Sequence, residues 1–127
     1  MGNVIYPLAS STWGAEEIEA IQDVIASDMY TMGGRVKQFE QEWNKWLGSR
    51  HSLYVSSGST ANFLLVASVK EMFGLKAGDK VLLPACTWVT NVAPIIQLGL
   101  EPVFVDINFK NFSFNIEQLK KLKIKEI

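Results

Sequence analysis

The sequence has one cysteine, Cys86, and one histidine, His51, among its 127 residues. A single cysteine excludes an intrachain disulfide, so a reduced, cytoplasmic setting is the simplest expectation. No apolar run approaches the length of a membrane span, and the first residues lack the basic and apolar regions of a signal peptide. We therefore expect no membrane partner, and we predict no metal site.

An excess of one charge is also missing. Twelve basic and 13 acidic residues give a net charge of −1, without a basic stripe, so nucleic acid is not an expected partner. The basic cluster near the end alternates with apolar residues, which favours a solvated helix face over a membrane anchor. This cluster consists of Lys120, Lys121, Lys123 and Lys125.

What the chain does have is apolar material: 48% of its residues are hydrophobic and 20% are charged, enough for a sizeable core. Helix-periodic and strand-like segments follow one another in the order αα, then βαβαβα. Short apolar strands alternating with helices indicate an α/β fold, a three-layer sandwich with a mostly parallel sheet. Because the last predicted helix begins a crossover that no strand follows, we interpret the chain as the N-terminal part of a longer protein.

We predict an N-terminal arm and first helix over residues 1–35, with Gly14 as the N-cap. Residues 36–127 are predicted to hold a second amphipathic helix, which Gly48 ends, and the βαβαβα core. The predicted strands are 53–56, 81–84 and 102–106. The predicted helices of this core are 59–73, one that runs through 95–96 with its first turn just before Pro94, and one that Asn115 caps.

The segment "VSSGSTAN", residues 55–62, joins the first of these strands to its helix. The first N–H groups of a helix have no intrahelical acceptor and form its positive end. Gly58 lets the backbone approach a bulky anion, and Ser59 and Thr60 add hydroxyl groups, a combination that suits a phosphate monoester. An ordinary capped helix start is the alternative interpretation, because Ser and Thr commonly cap helices.

Trp88, in "PACTWVTN", follows the next predicted strand at the same end as Ser59 follows its own. In open parallel sheets, ligands bind outside the carboxyl ends of the strands. A phosphate cradle and a flat aromatic side chain at this edge suit a phosphorylated aromatic ring, of which pyridoxal phosphate is an example. For a tryptophan taken alone, packing in the core remains the alternative.

The stretches "VSSGSTAN", "LPACTWVTN" and "PVFVDI" resemble the first half of the large domain in the sugar-aminotransferase (DegT/DnrJ/EryC/StrS-type) family of fold-type I pyridoxal-phosphate enzymes. Two further stretches, "YPLASSTW" and "YTMGGRVKQFE", make the chain similar to the deoxysugar 3-dehydratase branch of that family. The resemblance implies pyridoxal 5'-phosphate or pyridoxamine 5'-phosphate as cofactor, a nucleotide-sugar substrate and a homodimer for the full-length form. The implied reaction is C3 dehydration of a nucleotide-linked 4-keto-6-deoxysugar, in deoxysugar and O-antigen (lipopolysaccharide) biosynthesis.

The resemblance also implies residue roles. Gly58, Ser59 and Thr60 would hold the cofactor phosphate, and Trp88 would stack on the pyridine ring. Ser10, Trp13 and Met32 would lie near the substrate.

No catalytic residue is expected in this chain. The resemblance places the catalytic lysine of the aminotransferases, or the histidine that replaces it in the dehydratase, beyond residue 127. We interpret Asp106 as a capping or turn residue at the end of a strand, His51 as a surface residue and Cys86 as a small core residue. A nucleotide-sugar aminotransferase and a truncated, non-catalytic remnant remain alternatives, and the isolated chain is expected to be inactive.

Overall fold

A computed structural model describes residues 9–122 of the chain. Contacts divide the chain into two compact units, the first ending at Tyr54 and the second beginning at Val55. Within residues 9–122, the first unit holds two helices, and the second holds three helices and a two-stranded parallel sheet. No helix in this range is both long and apolar enough to cross a membrane.

Helix α1 spans Ala15–Ser27 and begins after the predicted N-cap, Gly14. Since glycine has no side chain with which to cap, the carboxylate of Glu17 closes the first turn by accepting the N–H of Gly14 at 2.6 Å. This hydrogen bond is the main reason that the pKa of Glu17 lies below its ordinary value. The helix ends at Asp28, whose φ of 53° is left-handed.

Helix α2 spans Gly34–Leu47, so it begins two residues before residue 36, where the predicted segment with the second helix starts. It ends as predicted at Gly48, whose φ of 73° favours glycine. Aromatic side chains line its surface: Phe39 stacks on Trp43 at 6.0 Å between ring centroids, and Trp43 lies 5.0 Å from Trp46.

The division between the two units falls after Tyr54, whereas the sequence predicted it after residue 35. In this division helix α2 lies in the first unit. The reason is local packing, because the N–H of Tyr54 donates to Glu40 at 2.8 Å and its ring meets Phe39 edge-on at 5.7 Å. These contacts hold the segment after α2 against α2 itself.

The second unit contains α3 (Gly58–Phe73), β1 (Lys80–Pro84), α4 (Val89–Gln97), β2 (Glu101–Val105) and α5 (Ile116–Lys121). The α/β class and the parallel sheet predicted from the sequence are confirmed. β1 and β2 pair in parallel with Lys80 opposite Glu101 and Pro84 opposite Val105. Helix α4 connects them, so β1, α4 and β2 form one βαβ unit.

The predicted strand over residues 53–56 is wrong for the described structure, in which these residues have no strand conformation. A strand needs a neighbour to complete its backbone hydrogen bonds. Within residues 9–122 the two strands pair only with each other, and the N–H of Tyr54 is taken by the Glu40 side chain.

The core of the second unit lies between the helices and β1. Leu83, Ile95 and Leu100 are buried together there, and Ile95 is only 2% exposed. The half-buried residues that pack against them are Val66, Leu75, Val81 and Val92. Apolar residues from α3, β1 and α4 thus fix the two helices against the strand.

Candidate functional site

The N-terminus of α3 is capped by Ser57, a residue that the sequence analysis did not single out. Its Oγ accepts the N–H of Thr60 at 3.2 Å, and its carbonyl accepts the N–H of Ala61 at 3.0 Å. Two amides remain at this end, those of Gly58 and Ser59, and neither has a protein acceptor among the described residues. Because they sit at the positive end of a 16-residue helix, they form a donor pair for an anion.

Three hydroxyl groups are already engaged at this turn. The Oγ1 of Thr60 lies 3.1 Å from the Oγ of Ser56 and 3.0 Å from the Oγ of Ser57. The N–H of Thr60 donates to the Oγ of Ser57, whereas the N–H of Ser59 has no acceptor among the described residues. The hydroxyl of Ser59 has no hydrogen-bond partner among the described residues.

Gly58 is the first residue of α3, and its surroundings are open. A Cβ built on it would meet no heavy atom within 4 Å, and its φ is not in the left-handed region. Neither crowding nor backbone conformation within the described structure therefore requires glycine here. Space for a bulky group next to the amides is the physical feature that the missing side chain provides.

Trp88 occupies the N-cap position of α4. Its side chain is 79% exposed, which excludes the alternative that it packs in the core of the described chain. It makes no ring contact with another aromatic side chain of residues 9–122. The indole at the N-terminus of α4 is thus accessible to a ligand.

Hydrogen bonds join the N-termini of α3 and α4. The Nδ2 of Asn62 donates to the Oδ1 of Asn91 at 2.9 Å, and it also lies 3.3 Å from the carbonyl oxygen of Thr90. The turn before α3 and Trp88 therefore lie at the N-terminal ends of two helices that these bonds join. Asn62 was not among the residues predicted from the sequence, although a polar residue near the start of the apolar run "ANFLLVASV" was a usable signal.

Electrostatics at this end favour an anion. Neither α3 nor α4 has an acidic residue in its first turn, whereas α1 has Glu16 and Glu17 and α5 has Glu117 in theirs. An acidic side chain there would neutralise the positive helix end. Among residues 9–122 no cluster of His, Cys, Asp and Glu is arranged to hold a metal ion.

The three predicted substrate neighbours, Ser10, Trp13 and Met32, belong to the first unit. All are exposed, Trp13 to 65% and Met32 to 67%. Near Met32, a surface cavity of about 450 Å³ lies between the end of α1 and the start of α2, with Tyr30 and Arg35 among its lining residues. Arg35 also forms an exposed ion pair with Asp23 at 3.4 Å.

The structure agrees with the roles predicted for Asp106 and His51, but not with the role predicted for Cys86. Asp106 accepts the N–H of Ile107 at 2.8 Å, and its own N–H donates to Gln118, so it acts as a turn residue after β2. His51 is exposed. Cys86 is exposed rather than a core residue, because it lies in the bend after β1 has ended.

Comparison with known proteins identifies the family. The sequence profile of the DegT/DnrJ/EryC1/StrS aminotransferase family matches residues 11–125. This chain belongs to that family. The profile spans both units, including the turn at Ser57 and the loop that carries Trp88.

Among curated proteins, GDP-4-keto-6-deoxy-D-mannose 3-dehydratase of Yersinia pseudotuberculosis is 46% identical over 119 residues, which are 91% of this chain and 30% of that protein. UDP-4-amino-4-deoxy-L-arabinose–oxoglutarate aminotransferase of Shewanella sediminis is 33% identical over 122 residues, again 30% of its length. The chain thus spans about a third of the length of the relatives that it matches.

Solved structures of the family have the same fold. The E. coli 3-dehydratase with bound hydrated pyridoxal phosphate superimposes with a TM-score of 0.81 at 47% identity, over 91% of this chain and 30% of that one. A sugar aminotransferase from Streptococcus pneumoniae, solved in its pyridoxamine-phosphate form, gives a TM-score of 0.75 at 23% identity, over 91% of this chain and 28% of that one. The neighbours are fold-type I enzymes, as the sequence resemblance implied.

Proposed function

We propose that this chain forms the cofactor-phosphate and ring-stacking part of a pyridoxamine-phosphate-dependent dehydratase that removes the C3 hydroxyl of a nucleotide-linked 4-keto-6-deoxysugar. One observation carries the proposal: the free amides of α3 and the exposed indole of Trp88 lie at hydrogen-bonded N-termini of two neighbouring helices. The 46% identity to a 3-dehydratase, against 33% to an aminotransferase, supports this choice of reaction.

The cofactor phosphate would be held by Gly58 and Ser59. Their two amides donate along the axis of α3, the Ser59 hydroxyl adds a third donor, and the missing side chain of Gly58 leaves room for the phosphate oxygens. Hydrogen bonds to a charged group contribute about 1.5–3 kcal/mol each, more than bonds between neutral groups. Thr60 would act mainly by holding the turn through Ser56 and Ser57, since its amide belongs to the cap.

Trp88 would cover one face of the cofactor ring. Stacking on an indole orients a flat ring without chemical bonding, and an indole that is already exposed needs no rearrangement to receive it. When bound, pyridoxamine phosphate supplies an amine for the C4 ketone and an electron sink for loss of the C3 hydroxyl. The described residues would bind and orient this group, while the proton-transferring residue is expected outside this chain.

The substrate and the assembly are further parts of the proposal. The nucleotide sugar would contact Ser10, Trp13 and Met32. All three are exposed and therefore accessible to a substrate. In the full-length form the active site would be shared by two subunits of a homodimer. Exposed apolar side chains on α2, including Trp46 at 76% and Leu47 at 58%, are compatible with burial in a larger assembly.

A first experiment tests binding. The chain is titrated with pyridoxamine phosphate, pyridoxamine and inorganic phosphate by calorimetry, and then Ser59→Ala and Trp88→Ala are compared with it. We expect Ser59→Ala to weaken both phosphate ligands, and Trp88→Ala to weaken only the ligand with a ring. Failure of the parent chain to bind either phosphate ligand would favour the non-catalytic remnant.

A second experiment tests the reaction. The chain is mixed with the remaining two thirds of the E. coli 3-dehydratase, or in parallel with the remaining two thirds of the Shewanella aminotransferase. The proposal expects a dehydrated sugar and ammonia only from the first mixture. The partner fragment supplies the proton-transferring residue, so the test measures which enzyme this chain completes. Product from the second mixture and none from the first would replace the dehydratase proposal with the aminotransferase alternative.

A further inference from the structure

Asn62 is a half-buried polar residue within a mostly apolar helix. Asparagine is a poorer helix former than alanine by about 0.5 kcal/mol, so its presence inside α3 calls for compensating bonds. Those bonds all cross to α4. Nδ2 donates to the Oδ1 of Asn91 at 2.9 Å and lies 3.3 Å from the carbonyl and 3.4 Å from the hydroxyl of Thr90.

The Thr90 carbonyl needs a donor from outside its own helix. In α4 its normal partner would be the N–H of residue 94, which is Pro94 and has none. Asn62 supplies a donor to this carbonyl in place of the missing intrahelical bond. The bond from Asn62 to Thr90 is therefore specific to this position, because Pro94 leaves the Thr90 carbonyl without its intrahelical donor.

The same network reaches residues on both sides of Trp88. Asn91, which accepts from Asn62, donates through its own Nδ2 to the Oγ1 of Thr87 at 2.7 Å. Its backbone N–H also donates to the carbonyl of Trp88 at 3.0 Å. Asn62 thus connects to the residue before Trp88, to Trp88 itself and to the second residue after it.

We propose that Asn62 is a positioning residue, which fixes the distance between the anion-binding amides of α3 and the indole of Trp88. The inference rests on the proposed cofactor function, because it assigns both features to one ligand. Apolar contacts alone, such as those of Val66 and Val92, let two helices slide, whereas directed hydrogen bonds specify one register. Asn62 therefore acts through Trp88 and touches neither the phosphate nor the ring.

This role predicts different effects on the affinities of inorganic phosphate and pyridoxamine phosphate. Inorganic phosphate needs only the amides of α3, so its affinity is independent of where the indole lies. Pyridoxamine phosphate needs the amides and the indole at a set distance. Loss of Asn62 therefore weakens the second ligand and spares the first.

The test is a double-mutant cycle in the 127-residue chain, with Asn62→Leu, Trp88→Ala and the double variant, each titrated with both ligands. For pyridoxamine phosphate we expect Asn62→Leu to lose about five- to tenfold in affinity, and the double variant to lose no more than Trp88→Ala alone. Inorganic phosphate affinity should stay within about twofold in all three. Independent, multiplicative losses, or an equal loss for inorganic phosphate, would overturn the positioning role.

A ligand-free measurement separates this inference from the cofactor proposal. The indole N–H resonance of Trp88, assigned with Trp88→Phe, should move or broaden in Asn62→Leu, while those of Trp43 and Trp46 stay in place. Thr87→Val, a variant of nearly the same shape at the far end of the network, should cause a smaller change of the same kind. An unchanged Trp88 resonance in both variants contradicts the inference, whether or not the chain binds the cofactor.

Discussion

Replacing Gly58 with alanine should raise stability and lower phosphate affinity at once. The new Cβ meets no heavy atom within 4 Å, and φ is not left-handed, so the folded state gains no strain. Alanine at such a site reduces the entropy of the unfolded chain and stabilises by about 0.4–1 kcal/mol. For a unit of this size, that gain raises Tm by about 2 to 8 °C.

The same Cβ occupies space beside the amides of Gly58 and Ser59. If it displaces the phosphate from one of the two donors, the loss of one charge-assisted bond corresponds to roughly 10- to 150-fold in affinity. Calorimetry with inorganic phosphate measures this loss, and thermal unfolding followed by circular dichroism measures the gain in stability. No adjustment elsewhere in the described structure is needed for either effect.

The matched control is Gly34→Ala. Gly34 is also the first residue of its helix, has a φ outside the left-handed region and leaves a Cβ with no neighbour within 4 Å. It should give the same rise in Tm without any change in phosphate affinity. Undiminished phosphate binding by Gly58→Ala would refute the assignment of this turn, and it would leave Gly58 an ordinary helix-start residue.

Three further predictions concern Trp88, the core of the second unit and the start of α1. Trp88→Ala should leave the free energy of unfolding within about 0.5 kcal/mol, because the side chain is 79% exposed, and denaturant titration against the equally exposed Trp46→Ala checks this. Ile95→Ala should cost about 2–5 kcal/mol in the same assay, since Ile95 is 2% exposed within the core, and a loss below 1 kcal/mol contradicts the packing described. The bond from Gly14 keeps the pKa of Glu17 below its ordinary value, so its stabilisation of α1 is complete above about pH 4.5 and is lost as pH falls through the lowered pKa. The Gly14 amide resonance should report that transition, and Glu17→Gln should abolish it; a transition that survives in Glu17→Gln assigns it to another group.

Much of both units could be predicted from sequence because the signals for helix ends and strands are local. Gly74 and Gly48 end α3 and α2 with left-handed φ values of 65° and 73°, and Asn115 caps α5 by accepting the N–H of Gln118. The apolar runs of β1 and β2 pair with each other, so their strand character needs nothing from elsewhere. The position of Trp88 followed from the ends of these elements.

The errors arose where a residue's state depends on distant partners. Residues 53–56 have a strand-like sequence, but within the described chain no strand pairs with them. Cys86 belongs to a residue type that is usually buried, yet the chain bends to the surface directly after β1. The link from Asn62 to Asn91 joins residues 29 positions apart, a separation at which no sequence periodicity carries information.

The register of the sheet has a consequence for how it can grow. The N–H of Glu101 donates to the carbonyl of Asp79, and the carbonyl of Val105 accepts the N–H of Ala85, so both residues direct backbone groups towards the β1 side. Pro102 and Phe104, which alternate with them, direct their backbone groups to the other edge of β2. Pro102 has no N–H to offer there, which makes this edge a poor template for another strand. Any strand added to this sheet, from the same polypeptide or a separate one, should therefore dock alongside β1, leaving β2 at the border.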